Sequence, residues 1–192
     1  MSVALLVRAF FWLWFAGAVA AGHWLVLQRL PLLAVPATIL ALSGAVVTLS
    51  LRIPCLRSWV DAIDLRALVL LHASRLVGLY FLILYQRGDL PREFAVSVGM
   101  GEIVVAVMTF PVVFAPLDEG SRRRAIRIWN IVGLIGMLLV VFTVARLGLT
   151  SPLSLRTFTQ LPLSLYPTFL MPLLIATHVI MLQRVAPTQP LE

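Results

Sequence analysis

The sequence predicts an all-α integral membrane protein, a helical bundle of about six transmembrane helices with both termini in the cytoplasm. One observation is composition, because 61% of the 192 residues are hydrophobic, only 12% are charged and the mean hydropathy is +1.02. Soluble domains carry about 25% charged residues. The other observation is a series of apolar stretches, each near the roughly 20 residues that span a bilayer as a helix. These stretches fill most of the chain, so residues 1–192 are expected to form a single transmembrane domain.

Short polar connections separate the six predicted helices. Their expected bounds are residues 3–27, 31–51, 65–85, 91–115, 125–147 and 162–182. The first is interpreted as a retained helix, although Ala18-Val19-Ala20 resembles the small-residue site at which a signal peptide is cleaved. Residues 52–66 are expected to form a basic loop. In the connector 148–160, Ser151 followed by Pro152 is typical of a helix start and predicts a short interfacial helix.

The sixth predicted helix contains Pro162, Pro167 and Pro172. Proline has no N–H and its ring clashes with the preceding turn, so these residues are expected to bend or locally unwind the helix. In a bilayer the carbonyls that lose their partners need another donor from protein or water. This helix is therefore expected to line a cavity.

All fifteen basic residues are arginines, and their distribution predicts the orientation. Cytoplasmic connections of membrane proteins carry an excess of basic residues. With the N-terminus inside, the outer side receives Arg29, Arg87, Arg92, Arg146 and Arg156, and Arg75 lies within a helix. The nine on the cytoplasmic side are Arg8, Arg52, Arg57, Arg66, Arg122, Arg123, Arg124, Arg127 and Arg184. We therefore expect a multi-pass protein of the cytoplasmic membrane whose first partner is the lipid bilayer.

Several classes of function are excluded. The absence of lysine rules out Schiff-base chemistry and a Walker-type phosphate loop. The single cysteine, Cys55, cannot form an internal disulfide or hold an iron–sulfur cluster alone. The net charge of +7 would suggest nucleic acid in a soluble protein, but here the arginines cluster at helix ends, so no nucleic-acid partner is expected. No metal site is predicted, because three convergent ligands cannot be identified.

Two charged residues lie deep within predicted helices. Arg75 is near the middle of the third helix, where an arginine costs about 2.5–3.5 kcal/mol. Glu102 is similarly deep in the fourth helix, and the two occupy mirror positions about the turn at Gly88-Asp89. Antiparallel neighbouring helices would place them at one depth, which predicts an ion pair at the membrane midplane. The pair is either a structural bridge or a functional site, and the cost of burying ionisable groups in a membrane favours function.

Three further polar residues are expected near this pair. His72 lies one turn from Arg75 on the same helix face, while Asn130 and His178 reach the same layer from the fifth and sixth helices. If the helices converge, these residues form one polar cavity that opens inward. The candidate substrate- or ion-binding residues are therefore His72, Arg75, Glu102, Asn130 and His178. Alternatively, His72 and His178 ligate a haem b, or each histidine simply bonds to a neighbouring helix.

The remaining polar and small residues are expected to have structural roles. Aromatic and polar residues near the outer surface are typical of the interfacial belt, namely His23 beside Trp24, Tyr80, Tyr85 and Tyr166. Small residues let membrane helices approach closely, and the glycines in question are Gly99, Gly101, Gly133 and Gly136.

Parts of helices three to six resemble a family of small polytopic bacterial membrane proteins of uncharacterised function. The similarity lies in Arg75-Leu-Val-Gly-Leu-Tyr-Phe-Leu, Gly88-Asp-Leu-Pro-Arg-Glu-Phe-Ala, Gly99-Met-Gly-Glu-Ile and Trp129-Asn130 with Gly133. It also includes Leu161-Pro-Leu, Pro167-Thr, Pro172 and Thr177-His178. The resemblance implies a bacterial cytoplasmic membrane and implies no particular activity.

Three hypotheses for function follow. The first is a small-solute or proton-linked transporter or binding protein that uses Arg75 and Glu102 at the midplane, with His72 or His178 titrating nearby. The second is a bis-histidine haem b protein of electron transfer. The third is an accessory or structural subunit of a larger membrane complex, or a homo-oligomer. A membrane enzyme with Glu102 and a histidine as acid and base is weaker, because no nucleophile or metal motif accompanies them.

Overall fold

A computed structural model describes residues 2–31 and 33–185, and within these residues the chain is helical and has no strand. The described residues include three stretches of 3₁₀-helix, over Val26–Arg29, His72–Leu76 and Pro152–Thr159, and one π-helix over Tyr166–Leu170. The α-helices are α1 Val3–His23, α2 Ala34–Arg52, α3 Pro54–Asp61, α4 Leu65–Leu71, α5 Val77–Gln86, α6 Arg92–Phe114, α7 Glu119–Thr150 and α8 Met171–Val185.

Six helical stretches among the described residues are long and apolar enough to cross a membrane. They comprise α1, α2, α6 and α7, together with the composite stretches Leu65–Gln86 and Tyr166–Val185. The all-α class and the six membrane-length helices are therefore confirmed. Insertion into a bilayer and the side on which each terminus lies stay predictions.

Helix boundaries differ from the prediction where a local signal was overlooked. The first helix ends at His23 rather than at residue 27, and Leu25 follows in a left-handed conformation with φ 53°. The fifth predicted helix, which is α7, begins at Glu119 rather than at residue 125. The reason is that the Asp118 carboxylate accepts a hydrogen bond from the Ser121 N–H at 2.9 Å. Hydrogen bonds from the side chain and the backbone N–H of Ser121 lower the pKa of Asp118.

The basic loop expected over residues 52–66 contains a short amphipathic helix, α3. Pro54 occupies its start, where a missing N–H costs nothing. Leu56 and Trp59 lie on one side of α3, whereas Arg57 and the free thiol of Cys55 are exposed. A helix of this kind lies in the interface plane with its apolar side toward the membrane interior.

The sixth span departs from an α-helix at Pro167 and Pro172, as predicted, whereas Pro162 lies in the turn before the span. A π-helix covers Tyr166–Leu170, with Pro167 in its first turn, and α8 then begins just before Pro172. Pro172 has no N–H to donate to the carbonyl four residues earlier, that of Thr168. That oxygen instead accepts a hydrogen bond from the Trp14 indole N–H of α1 at 2.9 Å.

Arg122, one of the nine arginines assigned to the cytoplasmic side, has a structural role that the distribution of charge did not predict. Arg122 of α7 is buried, and its guanidinium donates to the carbonyls of Val113 at 2.8 Å and Ala115 at 2.9 Å. It also donates to Val112 and Leu117 at 3.4 and 3.2 Å. The last carbonyls of a helix lack partners within the helix, so Arg122 completes the C-terminal end of α6.

Helices α5 and α6 pack closely against each other at the centre of the bundle. Gly78 and Gly99 face each other there, and a Cβ added at Gly99 would lie 2.9 Å from the Gly78 carbonyl oxygen. The packing role predicted for Gly99 is confirmed, but Gly101 faces open space and does not share it. The contact at Gly78 and Gly99 lies one turn from Arg75 and Glu102, and it brings their backbones together.

Candidate functional site

Arg75 and Glu102 form a fully buried, two-point ion pair at the centre of the bundle. Arg75 Nε donates to Glu102 Oε2 at 3.1 Å and Nη2 donates to Oε1 at 2.6 Å, while each side chain is 1% exposed. The ion pair predicted from the mirror positions is therefore confirmed. Both carboxylate oxygens are bonded, which is the geometry in which an arginine best offsets a buried carboxylate.

Local backbone geometry aligns His72 with Arg75. The third span is not a continuous α-helix, because residues His72–Leu76 form a 3₁₀ turn between α4 and α5. In a 3₁₀-helix, side chains three residues apart eclipse one another. His72 and Arg75 therefore project on the same side, as the helical spacing predicted, but through a tighter turn.

The free edge of the Arg75 guanidinium is bonded to two further helices. Nη1 donates to the Gly133 carbonyl of α7 at 3.3 Å and lies 3.4 Å from His178 Nε2 of α8. Gly133 is required here, because an added Cβ would lie 2.9 Å from His178 Nε2 and 3.2 Å from Arg75 Nη1. The guanidinium thus joins α6, α7 and α8 around a single charge.

His178 and Asn130 bind each other reciprocally. Asn130 Nδ2 donates to the His178 backbone carbonyl at 2.9 Å, and Asn130 Oδ1 is within hydrogen-bond distance of His178 Nδ1. An amide oxygen only accepts, so Nδ1 carries the proton and Nε2 is left as an acceptor. That tautomer is the one that can accept from Arg75, and the two contacts are consistent.

His72 lies against His178 but has a different set of partners. The two imidazole centroids are 4.1 Å apart, and the Trp129 ring stands edge-on to His72 at 5.1 Å. Thr177 Oγ1 donates its proton to the Leu174 carbonyl at 2.9 Å, so it accepts from His72 Nε2 at 3.1 Å. His72 Nδ1 is then an acceptor, and it is buried without a hydrogen-bond partner among the described residues.

Tyr166 corrects one expectation from the sequence. It was expected to anchor the outer interface, but it is only 4% exposed and packs in the protein core. Its buried hydroxyl lies near Glu102 and Arg75, and it makes no hydrogen bond of ordinary length and angle among the described residues. The reason is the π-helix, which turns this residue of the sixth span toward the bundle axis. His23 and Trp24, by contrast, are exposed neighbours, as expected.

The five predicted site residues converge, but they do not line an inward-opening polar cavity. His72, Arg75, Glu102, Asn130 and His178 are each at most 1% exposed. Apart from His72, which bonds to Thr177, their polar groups bond to one another and to backbone carbonyls, and the helices close over all five. We call this set the midplane cluster.

The geometry of the midplane cluster bears on the haem hypothesis. The His72 and His178 rings are in contact, and both nitrogens of His178 already have partners in Asn130 and Arg75. A porphyrin cannot enter between touching rings, so ligation by both histidines would require the helices to separate. Within the described residues, no group of three or more His, Cys, Asp and Glu side chains is placed to hold a metal ion.

Three residues of the site were missed from the sequence. Tyr166 was assigned to the outer interface, and Thr177 and Trp129 were noted only as parts of a resemblance. Trp129 packs against both histidines, and its indole N–H donates to the Val105 carbonyl at 3.1 Å. Its position next to Asn130, a predicted site residue, was the available signal.

A family model described as "Domain of unknown function (DUF8737)" matches residues 32–186, which include every residue of the midplane cluster and exclude α1. No curated protein and no solved structure matches the chain.

Proposed function

The chain belongs to the family of the domain of unknown function DUF8737, and we propose that it is a proton-linked carrier or binding protein for a small anionic solute. We place it in a bacterial cytoplasmic membrane with both termini inside. The observation that carries the proposal is the buried Arg75–Glu102 pair, whose guanidinium also contacts α7 and α8. Ionisable groups at this depth in a membrane protein commonly mark a substrate or ion pathway.

Charge balance links proton binding to anion binding. While Glu102 is ionised, it neutralises Arg75 and both of its oxygens are occupied. Protonation of Glu102 leaves the guanidinium as an uncompensated charge, and removing one partner of a buried pair costs about 3–5 kcal/mol. A carboxylate or phosphate that enters with the proton can replace Glu102 as the partner, because arginine binds both groups bidentately. Proton and anion then move together.

The sixth span is the element proposed to move. It carries His178, which touches Arg75, and it contains the π-helix Tyr166–Leu170 with Pro167 inside it and Pro172 just after it. Stretches of π-helix and prolines are sites where helices bend, and π-helices are frequent at functional sites. The unpartnered Tyr166 hydroxyl and His72 Nδ1 provide polar atoms on which an entering solute or water can bind.

Trp129 is a built-in reporter for the test, since it contacts both histidine rings. We would record the emission of the wild-type protein minus that of Trp129→Phe across pH, with and without succinate or phosphate. We expect a pH-dependent change that either anion shifts to higher pH, because two linked ligands raise each other's affinity. Glu102→Gln should abolish the pH dependence.

Glu93→Gln is the matched control, because Glu93 lies on the same helix and pairs with Arg146 at 2.7 Å but is exposed. It should leave the pH dependence unchanged. A wild-type signal that is flat with pH and indifferent to both anions would refute the proposal. Uptake of labelled succinate or phosphate into proteoliposomes, driven by an inward proton gradient, then separates a carrier from a binding protein.

Two alternatives stay predictions with their own tests. A shifting Soret band on reduction of the purified protein would establish haem and make electron transfer the leading function. Purification as part of a stoichiometric complex would support an accessory role.

A further inference from the structure

A large cavity lies at the side of the bundle, and its wall includes Thr177, which bonds to His72 of the midplane cluster. Its volume is about 580 Å³, which is within the range of sites that hold drug-sized ligands. Helices α1, α2, α3, α4 and α8 all contribute to its wall, at positions that include Phe10, Val46, Ser50, Trp59, Leu71 and Thr177. We call it the lateral cavity.

The wall of the lateral cavity favours an apolar occupant. Its lining is aliphatic and aromatic apart from two hydroxyls, those of Ser50 and Thr177. Both hydroxyl protons are already used, because Ser50 donates to the Val46 carbonyl at 2.7 Å and Thr177 to the Leu174 carbonyl at 2.9 Å. The cavity therefore offers hydrophobic contact and little hydrogen bonding, which suits a hydrocarbon chain.

The position of the lateral cavity favours an occupant from the bilayer. It lies between α1 and α2, two helices of membrane-spanning length. Leu56 and Trp59 of α3 line one end of it, while Arg57 of α3 is exposed. An amphipathic helix in this position sits at the level of lipid headgroups, with the cavity beneath it at acyl-chain depth.

The helices that form the α3 end of the lateral cavity carry exposed arginines. Arg8, Arg52 and Arg57 are exposed on α1, α2 and α3. Each lies within two residues of a wall residue, since Val7, Ser50 and Leu56 line the cavity. Arg57 is 3.9 Å from Asp61, but both side chains are more than half exposed, so this pair is weak. Clustered arginines at this level attract anionic lipid headgroups.

We propose that the lateral cavity binds one anionic phospholipid, with an acyl chain inside the cavity and the headgroup phosphate against Arg8, Arg52 and Arg57. The inference is independent of the proposed transport function, because Arg8, Arg52 and Arg57 do not belong to the midplane cluster. The site would hold the lipid at the junction of α1 with the rest of the bundle.

Native mass spectrometry of the detergent-purified protein with added phosphatidylglycerol or phosphatidylcholine tests the cavity. Wild-type protein should retain one phosphatidylglycerol, and Ser50→Phe should retain it at least about tenfold less, the effect of losing contact with about two methylene groups. Thr143→Phe is the matched control, because Thr143 donates to the Leu139 carbonyl at 2.8 Å on a membrane-length helix as Ser50 does to Val46. Equal retention by the two variants would overturn the proposal.

A second pair of variants tests the headgroup. The double variant Arg52→Gln/Arg57→Gln should lose the preference for phosphatidylglycerol over phosphatidylcholine. Arg124→Gln/Arg127→Gln removes two exposed arginines from α7, away from the cavity wall, and should keep it. If both double variants behave alike, the headgroup assignment is wrong.

Trp59 gives a readout that does not depend on one cavity-filling variant. Phosphatidylglycerol with brominated chains should quench Trp59, isolated as wild type minus Trp59→Phe, and saturate at one lipid per protein. Val46→Phe should abolish the saturable part, which covers the case in which Ser50→Phe fails to fold. Quenching that rises only in proportion to bulk lipid would contradict a bound lipid.

Discussion

The first and last membrane-length helices are similarly apolar but are used in opposite ways. The most apolar 18-residue stretches of Val3–His23 and Tyr166–Val185 have mean hydropathies of 1.9 and 1.5. Yet 11% of the residues are buried in the first stretch and 67% in the second. In a bilayer an apolar side chain is as well solvated by lipid as by protein, so hydropathy does not identify the inner helix. Polar residues do, because Thr177 and His178 need protein partners and α1 has no such pair at that depth.

The largest effect is expected on removing Arg75, the charge that holds the buried helix Tyr166–Val185 in place through His178. Arg75→Leu leaves Glu102 buried and unpaired, and we expect a loss of about 3–5 kcal/mol in the free energy of unfolding in mixed micelles. The double variant Arg75→Leu/Glu102→Leu should recover most of that loss, because both charges are then gone. If the single and double variants are equally unstable, the pair does not act as a unit.

A smaller effect should follow from crowding the cluster without changing its charge. Gly133→Ala places a methyl group against His178 and Arg75, and overpacking of this kind costs about 1–3 kcal/mol. Gly101→Ala meets nothing within 4 Å and should change the unfolding free energy by less than about 0.5 kcal/mol. Thermal unfolding of the two variants compares them directly, and an equal effect would mean that the Gly133 contact relaxes freely.

The smallest effect should come from loosening the outer helix. Trp14→Phe removes the hydrogen bond to the Thr168 carbonyl while keeping a ring against Phe169, so we expect a loss of about 0.5–1.5 kcal/mol. Hydrogen exchange should rise in α1 and in the π-helix and stay unchanged in α6. The control is Trp12→Phe, since Trp12 is 71% exposed. Faster exchange throughout the bundle would show that α1 supports the core rather than its edge.

Composition and depth predicted much of the fold and the heart of the site. Six membrane-length helices follow from hydropathy, and the Arg75–Glu102 pair follows from equal distances to one turn, because an antiparallel hairpin fixes depth. The direction in which each side chain points within the bundle could not be predicted in this way. Tyr166 turns inward because of a π-helix, and whether proline produces a π-helix or a kink depends on tertiary contacts such as that of Trp14 with Thr168.

Other features were present in the sequence but were given the wrong weight. Leu56, Trp59, Val60 and Ile63 follow helical spacing after Pro54, which indicates the amphipathic helix α3 where a loop was predicted.

The closed state of the midplane cluster was not predictable, because it depends on Gly133 allowing His178 to approach Arg75. Residue depth along a helix does not determine how closely two helices approach.

Cys55 gives the chain a natural label for its orientation. It is the single cysteine of the sequence, it is exposed, and it lies on α3 beside the lateral cavity. A membrane-impermeant maleimide applied to sealed vesicles would therefore modify the wild-type protein only when α3 faces the reagent. One gel-shift experiment then assigns a side of the membrane to α3, and the six helical spans extend that assignment to both chain ends without altering any residue.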